Sequence, residues 1–290
     1  MKLGFVILNY NGDQVTINCV DSLLKYYPNE IICVVDNYSQ DKPVDNIVDK
    51  YKGYQNVKVL KADKNYGYAV GNNIGINYLR EQGIDYIAVV NNDTIFQNSN
   101  LLESIKNTED DIGVISLELD NVDGTKQSPY GMVKGATKTF IKIGIRHMLI
   151  FIGVYMLLRK LKEKITGKKH VDAPKINYEE YDYIVSGAAF ILTPNFFKNY
   201  TQLFNKTFLY CEEHITALYL KKAKLKTKVI LDTKIIHLES QTASQTLNSR
   251  KKLKKAHHSW WQGLRVLFKS QKSIRKHYSD KNYNYILLKG

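Results

Sequence analysis

Short polar residues follow each of the first four apolar runs of the chain. Asn9-Tyr-Asn11-Gly12 follows the first run, and the next three are followed by Asp36-Asn37-Tyr-Ser39, Asp63-Lys-Asn65-Tyr-Gly67 and Asn91-Asn92-Asp93-Thr94. Asn and Asp are frequent in turns because their side chains bond to nearby backbone, so each set alone has a structural explanation. If the runs are parallel strands, their ends meet at one sheet edge, and four polar sets meeting there favour a ligand site.

Two further groups could supply acid–base or metal chemistry. Glu212 and Glu213 open a segment with helical periodicity, and His237 ends a short apolar run. A carboxylate beside a cleft can take a proton from a substrate hydroxyl, although an acid at the start of a helix is also stabilised by the helix dipole alone. A His at a strand end is either a metal ligand or a structural residue.

The elements that position these groups follow from the apolar patterns. Strands are predicted over 3–8, 30–36, 57–61, 85–90 and 112–117, with helices over 13–26, 43–52, 68–82 and 99–108. Further strands are predicted over 182–192, 227–231 and 234–238, with a helix near 214–223. Uninterrupted Val/Ile runs are typical of strands buried on both faces. The alternation predicts an α/β fold, with a mostly parallel open sheet covered by helices on both faces.

The charge of the chain is unevenly distributed. Its 290 residues include 42 Lys+Arg and 28 Asp+Glu, a formal net charge of +14. Residues 241–290 have a charge of +11 and residues 134–169 a charge of +9, which leaves −6 for the rest. Such basic segments fit an anionic partner, for example nucleic acid, anionic lipid or a phosphorylated substrate. The hydrophobic fraction of 44% excludes a wholly disordered chain.

Both basic segments have amphipathic helical patterns. Lys138, Lys142 and Arg146 form one polar stripe within 138–165, and the apolar run 148–158 is shorter than the roughly 20 residues of a spanning helix. Segment 250–278 has one apolar face, formed by Leu253, Trp260, Leu264, Leu267, Ile274 and Tyr278. Such helices either pack on the body of the protein or lie on a membrane, with Trp260-Trp261 among the headgroups. We predict contact with an anionic membrane surface.

The signatures of other protein classes are missing from the sequence. It contains no GxGxxG and no GxxxxGK[ST], which disfavours a dinucleotide-binding fold and a phosphate-loop NTPase, and no HExxH or CxxC metal motif. Cys19, Cys33 and Cys211 are too scattered for a disulfide framework and suit a reducing compartment. The first strand begins without a signal-peptide core before it, so we expect a cytoplasmic location.

Seven segments resemble, in order, the family-2 glycosyltransferases of the GT-A fold. They are VILNYNG (6–12), VVDNYSQD (34–41), KNYGYAVGNNIGI (64–76), VVNNDT (89–94), VSGAAFILTP (185–194), LYCEEHITALYLKK (209–222) and IIHLES (235–240). The most similar subgroup is the bacterial rhamnosyltransferase-like enzymes of cell-surface polysaccharide assembly. The resemblance implies a GT-A catalytic domain over 1–240, with a nucleotide-sugar half (1–120), a basic insertion (134–169) and an acceptor and catalytic half (180–240). We expect 241–290 to be a basic helical extension.

The resemblance also implies roles for individual residues. The donor-binding residues would be Asn9, Asn11, Asp36, Asn37, Asn65, Gly67, Asn73, Asn91 and Asn92. Asp93 and His237 would hold Mg²⁺ or Mn²⁺, although the chain has Asn91 where an Asp-x-Asp motif has its first carboxylate. Glu213 would be the catalytic base with Glu212 beside it, and Gly187-Ala188 would form the floor under the acceptor.

Together these expectations describe an inverting, metal-assisted glycosyltransferase. It would move a sugar from dTDP-rhamnose or a UDP-sugar to a hydroxyl of a lipid-linked or growing glycan at the inner face of the cell membrane. One alternative is a basic nucleic-acid-binding protein, which explains the charge but not the polar strand ends. Another is a sugar-nucleotide nucleotidyltransferase, which we would expect to have a Gly- and Arg-rich loop after the first strand.

Overall fold

The computed structural model describes residues 1–41, 44–128, 130–132, 136–155, 183–231, 233–238 and 249–288. Its centre is an eight-stranded sheet. In sheet order the strands are β12 (Lys226–Ile230), β6 (Ile112–Leu117), β11 (Ala189–Leu192), β4 (Tyr86–Asn91), β1 (Leu3–Asn9), β2 (Ile31–Asp36), β3 (Val57–Ala62) and β14 (Tyr285–Leu288). β1 is parallel to β2 and β4, β2 to β3, and β6 to β12, whereas β11 and β14 are antiparallel to their neighbours. The predicted mostly parallel sheet is confirmed.

Helices cover both faces of this sheet. They are α1 (Asp13–Tyr26), α2 (Asp45–Lys50), α3 (Tyr68–Glu81), α4 (Leu101–Ile105), α5 (Ala136–Phe151), α6 (Pro194–Asn199), α7 (Glu212–Ala223), α8 (Ser249–Phe268) and α9 (Gln271–His277). Successive side chains of β1 point to opposite faces. Phe5 therefore packs in one core with Val20 of α1, and Val6 packs in the other with Ile74 of α3.

A second, smaller sheet lies beyond the ends of the central strands. It contains β5 (Thr94–Phe96), β13 (Ile235–His237), β7 (Leu119–Asn121) and β8 (Lys126–Ser128) in that order, and β9 (Tyr130–Met132) pairs separately with β10 (Tyr183–Ile184). In the register of β13 and β5, His237 lies opposite Thr94. This pairing brings the predicted His237 next to the residues that follow β4.

The continuous strand predicted over 182–192 is wrong. Two short strands, β10 and β11, flank the segment 185–188, and residue 182 lies outside the described residues. The backbone leaves the ladder because the carbonyl of Gly187 accepts a hydrogen bond from the hydroxyl of Tyr68, while the carbonyl of Ala188 accepts from the amide of Asn91 (2.7 Å). Residues 185–188 thus form a bend beside the end of β4 and do not continue the strand pairing.

The basic segment 250–278 packs on the body through the face that carries Trp260 and Ile274, and α5 of the first basic segment is its partner at Trp260. The ring of Trp260 on α8 stacks on Phe140 of α5 with centroids 5.9 Å apart, and its Nε1 donates to the Phe140 carbonyl at 2.8 Å. Ile274 on α9 is fully buried. The predicted headgroup position of Trp260 is therefore wrong, because its apolar face has a partner helix, whereas Trp261 is exposed.

The part of 138–165 from residue 156 onward lies outside the described residues, as do the first residues of 241–290. The end of that C-terminal segment forms β14, an edge strand of the central sheet that sequence analysis did not predict. Among the described residues, no helix combines the length and the apolarity needed to cross a bilayer.

Candidate active site

The polar strand ends lie side by side along one edge of the sheet. In the parallel register Asn9 is opposite Asp36, and Leu8, the residue before Asn9, is opposite Asn91. This arrangement follows from parallel pairing, since the strands β1, β2 and β4 all end at the same edge. The sequence-based expectation that these sets converge is met for these three strands.

Asp36 is fully buried and holds the loop that follows β2. Its Oδ1 accepts a hydrogen bond from Nδ2 of Asn9 at 2.8 Å and another from the hydroxyl of Ser39, and its Oδ2 accepts from the backbone amide of Ser39 at 3.2 Å. Asn9 is also fully buried, and its Oδ1 accepts from the hydroxyl of Thr16 (2.8 Å). A buried carboxylate needs such hydrogen-bond donors, and here they fix the shape of this edge of the sheet.

Asn11 joins two of the edge loops to each other. Its Oδ1 accepts from the backbone amide of Gln40 at 2.9 Å, and its Nδ2 donates to Asp41 at 2.9 Å. Between these tied segments, Tyr10 and Tyr38 project from the same edge and are 42% and 40% exposed. Tyr38 has a backbone φ of 69°, which is unusual for a bulky residue and is often found at binding sites.

Asn37 and Asn65 shape the turn that begins α3. Nδ2 of Asn37 donates to Oδ1 of Asn65 at 3.1 Å and to the carbonyl of Gly67 at 3.2 Å. Gly67 has a φ of 78°, and a Cβ at this position would lie 2.0 Å from the carbonyl oxygen of Phe208. Only glycine fits here, because both the backbone conformation and the neighbouring chain exclude a side chain.

Two predicted donor residues are occupied by structural contacts. Asn73 is fully buried. Its Nδ2 donates to the carbonyl of Leu203 at 2.9 Å, and its Oδ1 accepts from the backbone amide of Leu203 at 2.8 Å. Nδ2 of Asn92 donates to the hydroxyl of Thr16 at 3.0 Å, so it joins the end of β4 to α1. The side chain of Asn73 therefore anchors α3 to the chain near residue 203.

A cavity of about 400 Å³ opens beside the end of β4. It brings together six residues that the sequence singled out, namely Asn91, Gly187, Ala188, Glu212, Glu213 and His237. It is also lined by residues that sequence analysis did not select, among them Tyr68, Gln127, Tyr210 and His214. A tyrosine that opens α3 and a histidine directly after the acidic pair were visible signals, whereas Gln127 lies in a stretch without a motif.

The two carboxyl groups of the cavity bind protons unusually tightly. Burial, and then the negative charge of Glu213, raise the pKa of Glu212 to about 8. Burial likewise raises the pKa of Glu213. Oε1 of Glu212 is buried and has no hydrogen-bond partner among the described residues. Because the two groups titrate together, the pair retains a proton at neutral pH, and one carboxylate of the pair can act as a base.

Gly187 leaves room for the carboxylate of Glu213. A Cβ built on Gly187 would lie 2.7 Å from Oε1 of Glu213 and 3.4 Å from its Cδ. The hydroxyl of Tyr68 donates to the carbonyl of Gly187, and burial, followed by the charges of Glu213 and Glu212, raises the pKa of Tyr68 well above its ordinary value. Tyr68 therefore stays protonated and holds this backbone in place beneath the cavity.

Asp93 and His237 form a pair that fits a divalent cation. Nδ1 of His237 lies 2.8 Å from Oε1 of Gln127, and its Nε2 lies 3.0 Å from Oδ1 of Asp93. A proton on Nδ1, donated to Gln127, leaves a lone pair on Nε2 facing a carboxylate oxygen, and two acceptors at this distance need a proton or a cation between them. Ligands about 2.1 Å from an octahedral Mg²⁺ or Mn²⁺ lie about 3.0 Å apart when adjacent.

The described residues supply few protein ligands to such a metal site. In the part of the chain that the structure describes, no group of three His, Cys, Asp or Glu residues is arranged to hold a metal ion. Two protein ligands are nevertheless enough for a cation that also binds substrate phosphates, which is the usual way proteins bind Mg²⁺. The donor set of one carboxylate and one imidazole is compatible with Mn²⁺ or Mg²⁺.

Comparisons with known proteins give one family and one fold. The family model described as "Glycosyl transferase family 2" matches residues 5–164. A comparison with curated protein sequences found no match. The structure of S. aureus TarS is similar with a TM-score of 0.53 and 16% identity, over 83% of this chain and 37% of the TarS chain. The chain thus spans little more than a third of that relative's length.

Two other solved structures share the fold. The mannosyltransferase PcManGT from Pyrobaculum calidifontis, in complex with GDP-Man and Mn²⁺, has a TM-score of 0.56 and 9% identity over 95% of this chain and 67% of its own. GalNAc-T7, with UDP, GalNAc and Mn²⁺, has a TM-score of 0.55 and 14% identity over 85% and 45% of the two chains. At these identities the similarity concerns the architecture of the sheet and its helices.

Proposed function

The chain belongs to glycosyl transferase family 2, and on this basis we propose that it transfers a sugar with inversion from a nucleotide-diphosphate donor to an acceptor hydroxyl. One observation carries the proposal: a single cavity is lined by the Glu212–Glu213 pair and by His237, whose Nε2 lies 3.0 Å from Oδ1 of Asp93. A base and a diphosphate-binding group are the two functions that such a transfer needs.

The donor would bind along the edge formed by β1, β2 and β4. Asn9 and Asp36 keep this edge rigid, and the exposed rings of Tyr10 and Tyr38 offer stacking surfaces for a base. The solved structures with this fold include TarS in complex with UDP-GlcNAc and PcManGT in complex with GDP-Man. We propose dTDP-rhamnose or a UDP-sugar as the donor, with Asn91 at the boundary between the donor edge and the cavity.

In the transfer, Glu213 would take the proton of the acceptor hydroxyl as that oxygen attacks the anomeric carbon. Gly187 lets its carboxylate reach the cavity, and protonated Glu212 holds the neighbouring position without adding a second charge. Attack opposite the leaving group gives inversion. Mg²⁺ or Mn²⁺ held by Asp93 and His237 would neutralise charge on the leaving diphosphate when bound, and Gln127 orients the imidazole for that task.

The nature of the donor and the use of a metal can be tested together. A panel of nucleotide sugars, scored by thermal shift with and without Mn²⁺, should show stabilisation by one donor that depends on the metal. Stabilisation by no nucleotide sugar would contradict the proposal. The nucleic-acid and nucleotidyltransferase alternatives are not favoured by any feature of the cavity.

The role of Glu213 has its own test. Glu213→Gln should abolish turnover while leaving the donor-induced thermal shift intact, because the amide keeps the size of the side chain but cannot accept the proton. Glu81→Gln is a matched control, since Glu81 forms an exposed ion pair with Lys281 far along α3. Normal turnover in Glu213→Gln would remove Glu213 as the base.

We also propose a lipid-linked or growing cell-surface glycan as the acceptor, reached from the inner face of the cell membrane. The support is an exposed apolar stripe on and just after α5, at i, i+4, i+7 and i+11: Ile141, Ile145, Met148 and Ile152, which are 42%, 48%, 52% and 61% exposed. Lys138, Lys142 and Arg146 lie beside it on the same helix. An apolar stripe bordered by cations matches an anionic bilayer surface.

This membrane contact predicts the behaviour of two variants. Ile145→Glu combined with Met148→Glu should weaken cosedimentation with phosphatidylglycerol vesicles several-fold, because both charges would enter the interface. Ile286→Glu is the control, since Ile286 is an equally exposed isoleucine on β14. Equal binding by the α5 variant and the wild type would show that α5 is not the membrane-binding face.

A further inference from the structure

Three histidines from three different helices gather behind the catalytic cavity. His147 lies on α5, His214 at the start of α7 and His257 on α8. The rings of His147 and His257 are 6.2 Å apart, and His257 stacks on Trp260 at 5.5 Å. We call these three residues the histidine cluster. Only His214 of the cluster lines the cavity directly.

Each residue of the histidine cluster has a buried ring nitrogen without a partner. Nδ1 of His147, of His214 and of His257 finds no hydrogen-bond partner among the described residues. His147 as a whole is only 6% exposed. An unpaired buried polar nitrogen is costly, and nearly all such groups in native proteins bind a partner. Three of them in one place indicate that a polar ligand completes the site.

The charges around the cluster select an anion. Burial, and then the positive charge of Arg146, lower the pKa of both His147 and His214 to about 4. Arg146 is exposed and forms no ion pair with any described residue, and the helices α5 and α8 contain no acidic residue. A cation would meet repulsion here, whereas an anion would pair with Arg146 and make protonated rings favourable.

Phosphate is the anion that the donor groups of this cluster would bind. Its oxygens can accept from several N–H donors at once, and a guanidinium beside imidazoles is a typical set of phosphate ligands. Glu212 and Glu213 directly precede His214 in the chain, and Glu212 keeps its proton at neutral pH. This proton reduces the repulsion that the pair would exert on a phosphate.

We propose that Arg146 and the histidine cluster bind a phosphate group carried by the acceptor. The inference rests on the proposed function and deepens it: the acceptor hydroxyl would meet Glu213 while a phosphate of the same molecule reaches His214, the next residue in the chain. The acceptor class is then a phosphorylated glycan, as a lipid-linked sugar phosphate is.

The test follows the histidine ring protons by NMR across a pH titration in the absence of a nucleotide sugar. Inorganic phosphate should raise the pKa of His147 and His214 from about 4 toward the ordinary 6.5 in the wild-type protein. Arg146→Gln should abolish this response. Lys142→Gln, which removes the same charge one turn earlier on α5, should preserve it. No response in the wild type, or an equal loss in both variants, would overturn the proposal.

A second arm identifies the source of the phosphate. Glucose 1-phosphate should shift the same resonances at a concentration at least several-fold lower than inorganic phosphate, and methyl glucoside should not shift them. A response to phosphatidylglycerol vesicles alone would assign the site to bilayer headgroups and overturn an acceptor subsite. Because no donor is present, a negative donor panel would refute the proposed function without changing these outcomes.

Discussion

Gly187→Ala offers the sharpest test of how the base is positioned. The added Cβ would lie 2.7 Å from Oε1 of Glu213, whereas ordinary contact begins at 3.4 Å. The carboxylate must therefore retreat by about 0.7 Å. Misplacement of a catalytic group by about 1 Å can cost 10²-fold in rate, so we expect kcat to fall by roughly 10- to 100-fold. Gly187 does not have a positive φ, so the backbone accepts alanine and the fold should remain intact.

The assay is the initial rate of nucleoside diphosphate release at saturating donor and acceptor, with donor affinity and Tm measured in parallel. The same substitution is also made in the Glu213→Asp variant, whose side chain is shorter by one methylene and leaves room for the new Cβ. Alanine at 187 should cost much less in that background than in the wild type, a clear departure from additivity. A wild-type kcat for Gly187→Ala, or the same cost in both backgrounds, would refute the steric reasoning.

Three other predictions address the pair, the metal ligands and the fold. Glu212→Gln replaces a carboxyl group that keeps its proton at neutral pH with a neutral amide of the same size, so kcat and its fall at low pH should change little; a large loss of kcat would show that Glu212 must ionise during transfer. Gln127→Leu should lower the affinity for Mn²⁺ by about 10- to 100-fold, because the His237 ring loses the acceptor that orients it. The affinity is read from the Mn²⁺-dependent thermal shift, and an unchanged metal titration would argue against this role. Gly67→Ala should lower the free energy of unfolding in urea by several kcal/mol, whereas Gly53→Ala, with a φ of 88° and nothing within 4 Å, should cost only about 1–2 kcal/mol; equal losses would show that the Phe208 carbonyl is not the cause.

The local elements were predictable because their periodicity is set by neighbouring residues. The predicted helix 13–26 and strand 112–117 have the bounds seen in the structure, and the polar ends of β1, β2 and β4 meet as expected from parallel pairing. The bend at Gly187 was not predictable in this way. It depends on Tyr68 and Asn91, which are distant in sequence and donate to the carbonyls of residues 187 and 188 only in the folded chain.

The sequence also did not indicate which surface covers each apolar helix face. The apolar face of α8 was correctly placed by periodicity, but a helical pattern does not say whether lipid or another helix covers it. The structure supplies Phe140 and Gly144 of α5 as the partners of Trp260, and leaves a different face, that of Ile141 and Ile145, exposed. Similarly, Asn73 is a polar residue of a type that often binds ligands, but its side chain is hydrogen-bonded to the backbone of Leu203.

The late position of β14 has a consequence for synthesis on the ribosome. β3 is an interior strand only because residues 285–288 pair with residues 59–62. Until those late residues emerge, the nascent chain presents an unpaired parallel edge, which is a template for intermolecular association. At about 5–20 residues per second, the interval between the two strands is on the order of 10–45 s. The strand β14 thus covers the edge of β3 long after that edge has been synthesised, and translation speed or a bound chaperone during this interval would influence the yield of native protein.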